Sequence, residues 1–163
     1  MGYQLIETIE VGSGGAASIE FTGIPQDGVD LVLVISGRSD STTNALYMGI
    51  NNEATDVTGK RLSGTGSAAN SATTSSGFFA YLGLSTYTAN SFGNTAVYIP
   101  NYTSSANKSL SVDSVSENNA TAADSGIFAL SWPVASAITQ IRVLTAGNLV
   151  EHTTASLYKI TAD

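Results

Sequence analysis

Apolar and polar residues alternate along much of this chain, a pattern typical of strands with one face in a core and the other in water. The clearest case is 17–22, where Ile19 and Phe21 alternate with Ser, Glu and Thr. The segment 3–11 alternates in a similar way, and a Gly-Ser-Gly-Gly cluster at 12–15 separates the two. Because such clusters form turns, we expect an N-terminal hairpin made of 3–11 and 17–22.

The segment 29–35 differs, since it is apolar at nearly every position. An unbroken apolar run of this length is typical of a strand that is covered on both faces, and it predicts a central strand. Further segments with strand character follow, separated by clusters of Gly, Asn, Ser or Pro. They are 45–50, 78–84, 95–99, 109–115, 127–132, 138–144 and 153–160.

About ten short strands with turn signals between them predict an all-β fold, an antiparallel β-sandwich of jelly-roll-like type. We expect little or no helix, because no long window has apolar residues at helical spacing. We expect one domain over 1–163. The segment 63–77 consists almost entirely of Ser, Gly, Ala, Thr and Asn, and with little to bury it is predicted to be a long exposed loop.

Charge and composition narrow the function classes. Only 12% of residues are charged and the net charge is −7, so the chain repels the phosphates of nucleic acids. It has no cysteine, which excludes disulfides and thiolate metal sites. The N-terminus lacks the pattern of a signal peptide, and the apolar run 31–35 is far shorter than the roughly 20 residues of a membrane-spanning helix. We expect a soluble protein that is made in the cytoplasm and contacts neither nucleic acid nor membrane.

Catalytic and metal-binding patterns are sparse. His152 is the single histidine, which leaves a Ser-His-acid arrangement as the familiar nucleophilic option, and the Gly-x-Ser-x-Gly elbow is missing. We interpret His152 as an exposed turn residue. Asp27, Asp30 and Asp40 do not have the spacing of a calcium loop and are interpreted as strand-end acids. The sequence predicts no enzyme, no cofactor and no metal.

Three aromatic residues near predicted loops or strand ends are candidate contact residues: Tyr87, Tyr102 and Trp132. Their rings can stack on sugars or anchor a protein interface. They can also be partly buried in the sandwich, which is the commoner outcome for large aromatic side chains. The sequence leaves both interpretations open.

Four segments carry a family resemblance: FTGIPQDGVDLVLVISGRS (21–39), VYIPNY (97–102), NKSLSVDSVSENN (107–119) and ASLYKI (155–160). Through them the chain resembles small β-rich virion proteins of tailed bacteriophages, particularly marine ones, over nearly its whole length. The resemblance implies a component of the phage particle, either a capsid decoration protein or an appendage module. It carries no catalytic residues across.

Two functions follow from this resemblance. The first is a decoration or cement protein that binds the major capsid protein and braces the outer capsid surface as a homo-oligomer, expected to be a homotrimer. It would be assembled in the host cytoplasm and end on the outer surface of the virion. The second is a host-recognition module of a tail fibre or head fibre, in which Tyr87, Tyr102 or Trp132 helps to bind a surface glycan.

Overall fold

The computed structural model describes residues 2–53, 57–118 and 123–162, which form twelve strands and no helix. Among these residues there is accordingly no helix that could span a membrane. In chain order the strands are β1 (Gly2–Glu10), β2 (Ala16–Thr22), β3 (Asp30–Gly37), β4 (Ala45–Ile50), β5 (Thr58–Gly64), β6 (Ala69–Ser75), β7 (Phe78–Tyr81), β8 (Gly93–Ile99), β9 (Lys108–Ser116), β10 (Asp124–Trp132), β11 (Gln140–Leu149) and β12 (Thr154–Thr161).

The strands form two sheets of unequal size. The larger has eight strands in the order β1-β12-β3-β8-β9-β10-β5-β6, and the smaller has four in the order β2-β11-β4-β7. All strand pairs within the two sheets are antiparallel. The predicted antiparallel β-sandwich is therefore confirmed.

A single hydrophobic core lies between the sheets. Leu33 and Phe128 of the large sheet and Met48 and Ile141 of the small sheet are each completely buried in it. Side chains of a strand alternate between its two faces, so each strand that buries one set of residues here points the other set outward. The large sheet consequently has an outer face that the small sheet does not cover.

The predicted N-terminal hairpin is wrong. β1 pairs with β12 in the large sheet, whereas β2 pairs with β11 in the small sheet. The glycine cluster does form a turn, in which Gly15 donates its N–H to the carbonyl of Gly12 at 2.9 Å. This turn carries the chain from one sheet to the other, because alternation indicates a buried face but does not select the pairing partner.

The strand predicted from 29–35 is an interior strand, but it is not covered on both faces. β3 lies between β12 and β8 and buries Leu31, Leu33 and Ile35. Val34 points to the opposite side and is 39% exposed. The unbroken apolar run therefore combines a core face with an apolar outer face.

The predicted long loop at 63–77 is also wrong. β5 continues to Gly64, and β6 pairs with it over seven successive residue pairs without a register shift. Most side chains of β6 are exposed, so burial does not drive this hairpin. Backbone hydrogen bonds to β5 and the preference of threonine for extended conformations are sufficient to form it.

Candidate functional site

The three aromatic residues singled out in the sequence are buried. Trp132 and Tyr102 have no exposed surface, and Tyr87 is 7% exposed. The Tyr102 hydroxyl donates to the carbonyl oxygen of Pro25 and accepts the N–H of Gly28. Because their ring faces are covered by the protein itself, none of the three is available to stack on a sugar. They do not form a common site, and we withdraw them as contact residues.

The turn that Tyr102 holds is also fixed by an ion pair. Nζ of Lys159 lies 2.6 Å from both carboxylate oxygens of Asp27. The hydrogen bond from Lys159 lowers the pKa of Asp27 below its ordinary value. Asp27 lies in the loop between β2 and β3, and its role there is structural.

Changing Asp27 to Asn is expected to lower the thermal stability at neutral pH, because Lys159 loses its counter-charge. Because the pKa of Asp27 is lower in the folded state, the ion pair stabilises the fold fully at pH values above the ordinary pKa of an aspartate. This stabilisation disappears as the pH falls through the folded-state pKa. The melting temperatures of wild type and Asp27→Asn should therefore converge as the pH falls below the lowered pKa of Asp27. An exposed acid, Glu151, supplies the control Glu151→Gln, for which no such convergence is expected. An equal deficit at all pH values would contradict a role for the ion pair.

Two other cations stabilise loops rather than form a charged surface. The Arg38 guanidinium donates to carbonyl oxygens of the loop 85–91, at distances of 2.9–3.3 Å. Nζ of Lys108 is buried and donates to the carbonyls of Ser104 and Ala106 at 2.7 and 2.5 Å. Burial lowers the pKa of this ammonium. Both side chains are occupied by local backbone groups.

His152, Asp30 and Asp40 have local roles, and Asp40 accepts the N–H of Asn148 at 2.7 Å. His152 adopts a positive φ of 68° and is exposed, with Nδ1 3.3 Å from a carboxylate oxygen of Glu10. Asp30 accepts hydrogen bonds from the Tyr98 hydroxyl and the Asn101 N–H, at 2.7 and 2.8 Å. Within the described residues, no three His, Asp or Glu side chains lie close enough to hold a metal ion.

The most unusual surface is the outer face, by which we mean the face of the large sheet that points away from the small sheet. Seven large apolar side chains on it are 39–70% exposed. They are Tyr3, Leu5, Val34, Leu62, Tyr98, Val115 and Ile127. Contiguous exposed apolar surface is typical of interaction sites, whereas isolated apolar residues are not informative.

The strand register shows which residues of the outer face are neighbours. Val32 of β3 lies directly opposite Tyr98 of β8. Ile127 of β10 lies opposite Leu62 on one side and Asp113 on the other. Residues paired in this way point to the same face with Cβ atoms about 5 Å apart. The outer face therefore has apolar residues on several strands, with Asp113 among them.

A shallow depression of about 430 Å³ lies in the middle of the outer face. It is lined by Tyr3, Val32, Ala96, Val97, Tyr98, Ser111, Val112, Asp113 and Ile127. Its lining combines the small residues Ala96 and Ser111 with the larger Tyr98 and Ile127. A depression of this kind fits a protruding apolar side chain of a partner protein better than it encloses a small molecule.

This face was not predicted from the sequence, although two signals for it were present. The first signal is the unbroken apolar run 29–35, which includes Val32 and Val34. A strand with one solvent-exposed face usually has polar residues at such positions. The other signal is apolar residues on the polar side of alternating strands, such as Ile127 and Leu62. Their common face becomes visible only when the strand order is known.

Comparisons with known proteins do not add a function. No protein-family model matches the chain, and no curated protein matches it. Among solved structures, a protein of unknown function from Shewanella oneidensis MR-1 matches with 14% identity and a TM-score of 0.27, over 99% of this chain and 77% of the other. A similarity of this size supports no inference about fold or function.

Proposed function

We propose that this chain is a non-enzymatic structural protein that binds another protein through its outer face. The observation that carries the proposal is the set of seven exposed apolar side chains around an open depression. In water such a face is unfavourable, and covering it with a partner gains about 25 cal/mol per Å² of apolar surface removed from solvent. A broad, shallow face suits a protein partner because many small contacts contribute together.

The identity of the partner is proposed from the resemblance of 21–39, 97–102, 107–119 and 155–160 to virion proteins of tailed bacteriophages. On that basis the chain is a capsid decoration protein, and its partner is the major capsid protein on the outer surface of the particle. The low charge density of the chain and its net charge of −7 suit a surface that faces solvent rather than DNA.

Bracing requires no chemical step. A protein that touches two neighbouring capsid subunits adds contacts that must be broken before the shell opens. Repetition by the symmetry of the shell multiplies a modest affinity, and a homotrimer at a three-fold position would engage several subunits at once. The homotrimer remains a prediction that is tested on the particle.

Co-sedimentation of the purified protein with capsids that lack it tests the proposal. We expect saturable binding with a fixed number of copies per capsid and a higher temperature of capsid disruption. Bovine serum albumin mixed with the same capsids is the control for trapped protein. Absence of binding at protein concentrations up to about 100 μM, where weak specific interfaces are occupied, would contradict the proposal.

A second candidate, recognition of a host glycan by a fibre module, is favoured by one observation. Tyr3 and Tyr98 line the same depression as the carboxylate of Asp113, and an aromatic ring beside an acid is a suitable arrangement for a sugar. A glycan array distinguishes the two candidates. The second proposal would replace the first if the wild type bound a glycan but not capsids, and if Asp113→Asn abolished the glycan binding.

A further inference from the structure

The edges of the two sheets differ in how well they are protected. The edge strands are β1 and β6 of the large sheet and β2 and β7 of the small sheet. Each edge has a row of backbone N–H and C=O groups without a strand partner, to which another strand can add. Proteins usually block such edges with charged residues, bulges, proline or very short strands.

Three of the four edges have such protection. β1 has a register shift between Leu5 and Glu7, and its sequence carries two glutamates. β2 carries Glu20, whose carboxylate lies 3.1 Å from Nε of Arg142. β7 is only four residues long. Pairing with a second strand is therefore opposed by charge and irregular geometry at β1, by charge at β2 and by the small number of backbone groups at β7.

The β6 edge has none of these devices. Its seven residues, ANSATTS, include no charge, proline or glycine, and its register with β5 is regular throughout. Only Thr74 is buried, so the strand presents its free backbone groups without covering side chains. β6 is therefore the edge strand to which another strand can add most easily.

We propose that β6 pairs antiparallel with β6 of a second copy of this chain. The charge distribution favours a second copy as the occupant. Two molecules of net charge −7 repel one another, but β6 itself is neutral and adjacent β5 carries Lys60 and Arg61, two of the six basic residues. Two copies can therefore meet at this edge without placing carboxylates opposite each other. The inference stands independently of the proposed docking function, because it concerns the free protein, whereas the homotrimer is a prediction for the protein bound to the capsid.

Antiparallel self-pairing has a defined geometry. Pairing all seven residues places Ala72 opposite Ala72 of the second copy and Ser71 opposite its Thr73. The two-fold axis is then perpendicular to the sheet, since only that rotation reverses the strand direction while keeping the same face outward. The two eight-stranded sheets join into one of sixteen strands, and both outer faces point to the same side. A dimer would thus present a doubled apolar surface in one plane.

A pair of double variants tests this register. In Ser71→Glu/Thr73→Glu, each introduced glutamate at 71 faces a glutamate at 73 of the other copy, and like charges directly opposite weaken strand pairing. In Ser71→Lys/Thr73→Glu, lysine faces glutamate at both positions. Within one copy, the glutamate introduced at position 73 lies opposite Lys60 of β5 in both variants, so this pair stabilises the β5–β6 hairpin equally in both. The two variants differ only at residue 71.

Analytical ultracentrifugation of the full chain over a range of concentrations provides the readout. We expect wild type and Ser71→Lys/Thr73→Glu to dimerise, and Ser71→Glu/Thr73→Glu to dimerise at least about tenfold more weakly. A wild type that stays monomeric overturns the inference. So does equal dimerisation of all three proteins, because the contact then lies elsewhere, or equal weakening of both variants, because the register is then different. Circular dichroism confirms that all three are folded.

Discussion

Replacing Ile127 with lysine is expected to abolish most binding to capsids while leaving the fold intact. Ile127 is 63% exposed, so the fold does not depend on its side chain, and the new ammonium can pair with Asp113 on the adjacent strand. Docking, in contrast, would bury this charge against an apolar partner surface. Loss of a central anchor costs about 2 kcal/mol or more, which weakens binding by about 30-fold or more. Co-sedimentation with capsids measures the effect.

The matched control is Ser131→Lys. Ser131 is an exposed residue of the same strand and the same face, four residues from Ile127 and outside the lining of the depression. The two variants therefore add the same charge to the same strand. Unchanged capsid binding by Ile127→Lys, or equal loss in both variants, would contradict docking through the depression.

Replacing Trp132 with alanine is expected to have the largest effect on stability. The side chain is completely buried, and truncation of a buried tryptophan costs about 3–5 kcal/mol through lost burial and a residual cavity. In a chain of this size that corresponds to a fall in melting temperature of roughly 10 °C. Chemical denaturation followed by circular dichroism measures the change in the free energy of unfolding.

Trp132→Phe is the informative comparison. Its indole Nε1 has no hydrogen-bond acceptor within the part of the chain that the structure describes, so phenylalanine removes an unsatisfied donor and keeps an aromatic ring. We expect it to cost much less than alanine. If Trp132→Ala were as stable as wild type but impaired in binding, Trp132 would be a contact residue after all and its buried placement would be wrong.

Local patterns in the sequence were sufficient to predict most of the strands and the class of fold. Alternation at Ile19 and Phe21 located β2, and strands were correctly expected in the regions of β8, β9 and β12. Strand partners were not predictable, because alternation reports only which face is buried. The hairpin expected between 3–11 and 17–22 failed for this reason, as each strand pairs with one from the C-terminal part of the chain.

The candidate site was harder to predict than the fold. Large aromatic residues were chosen by type, but Tyr102 and Trp132 fill the core, and their burial depends on strands distant in sequence. The outer face is assembled from single residues of several strands, such as Tyr3, Val34 and Ile127. No segment contains more than a fraction of it. The hairpin of β5 and β6 was missed because its strands are held by backbone pairing, which a composition of Ser, Thr and Ala does not reveal.

Cryo-electron microscopy of the phage particle to which we propose this chain belongs is the decisive experiment. We expect density for a twelve-stranded sandwich on the outer capsid surface, with the outer face of the eight-stranded sheet against the major capsid protein. Density on the capsid with the outer face turned to solvent would contradict docking through that face. Density confined to a tail or fibre would contradict the decoration role, and a particle without this chain would contradict the virion assignment.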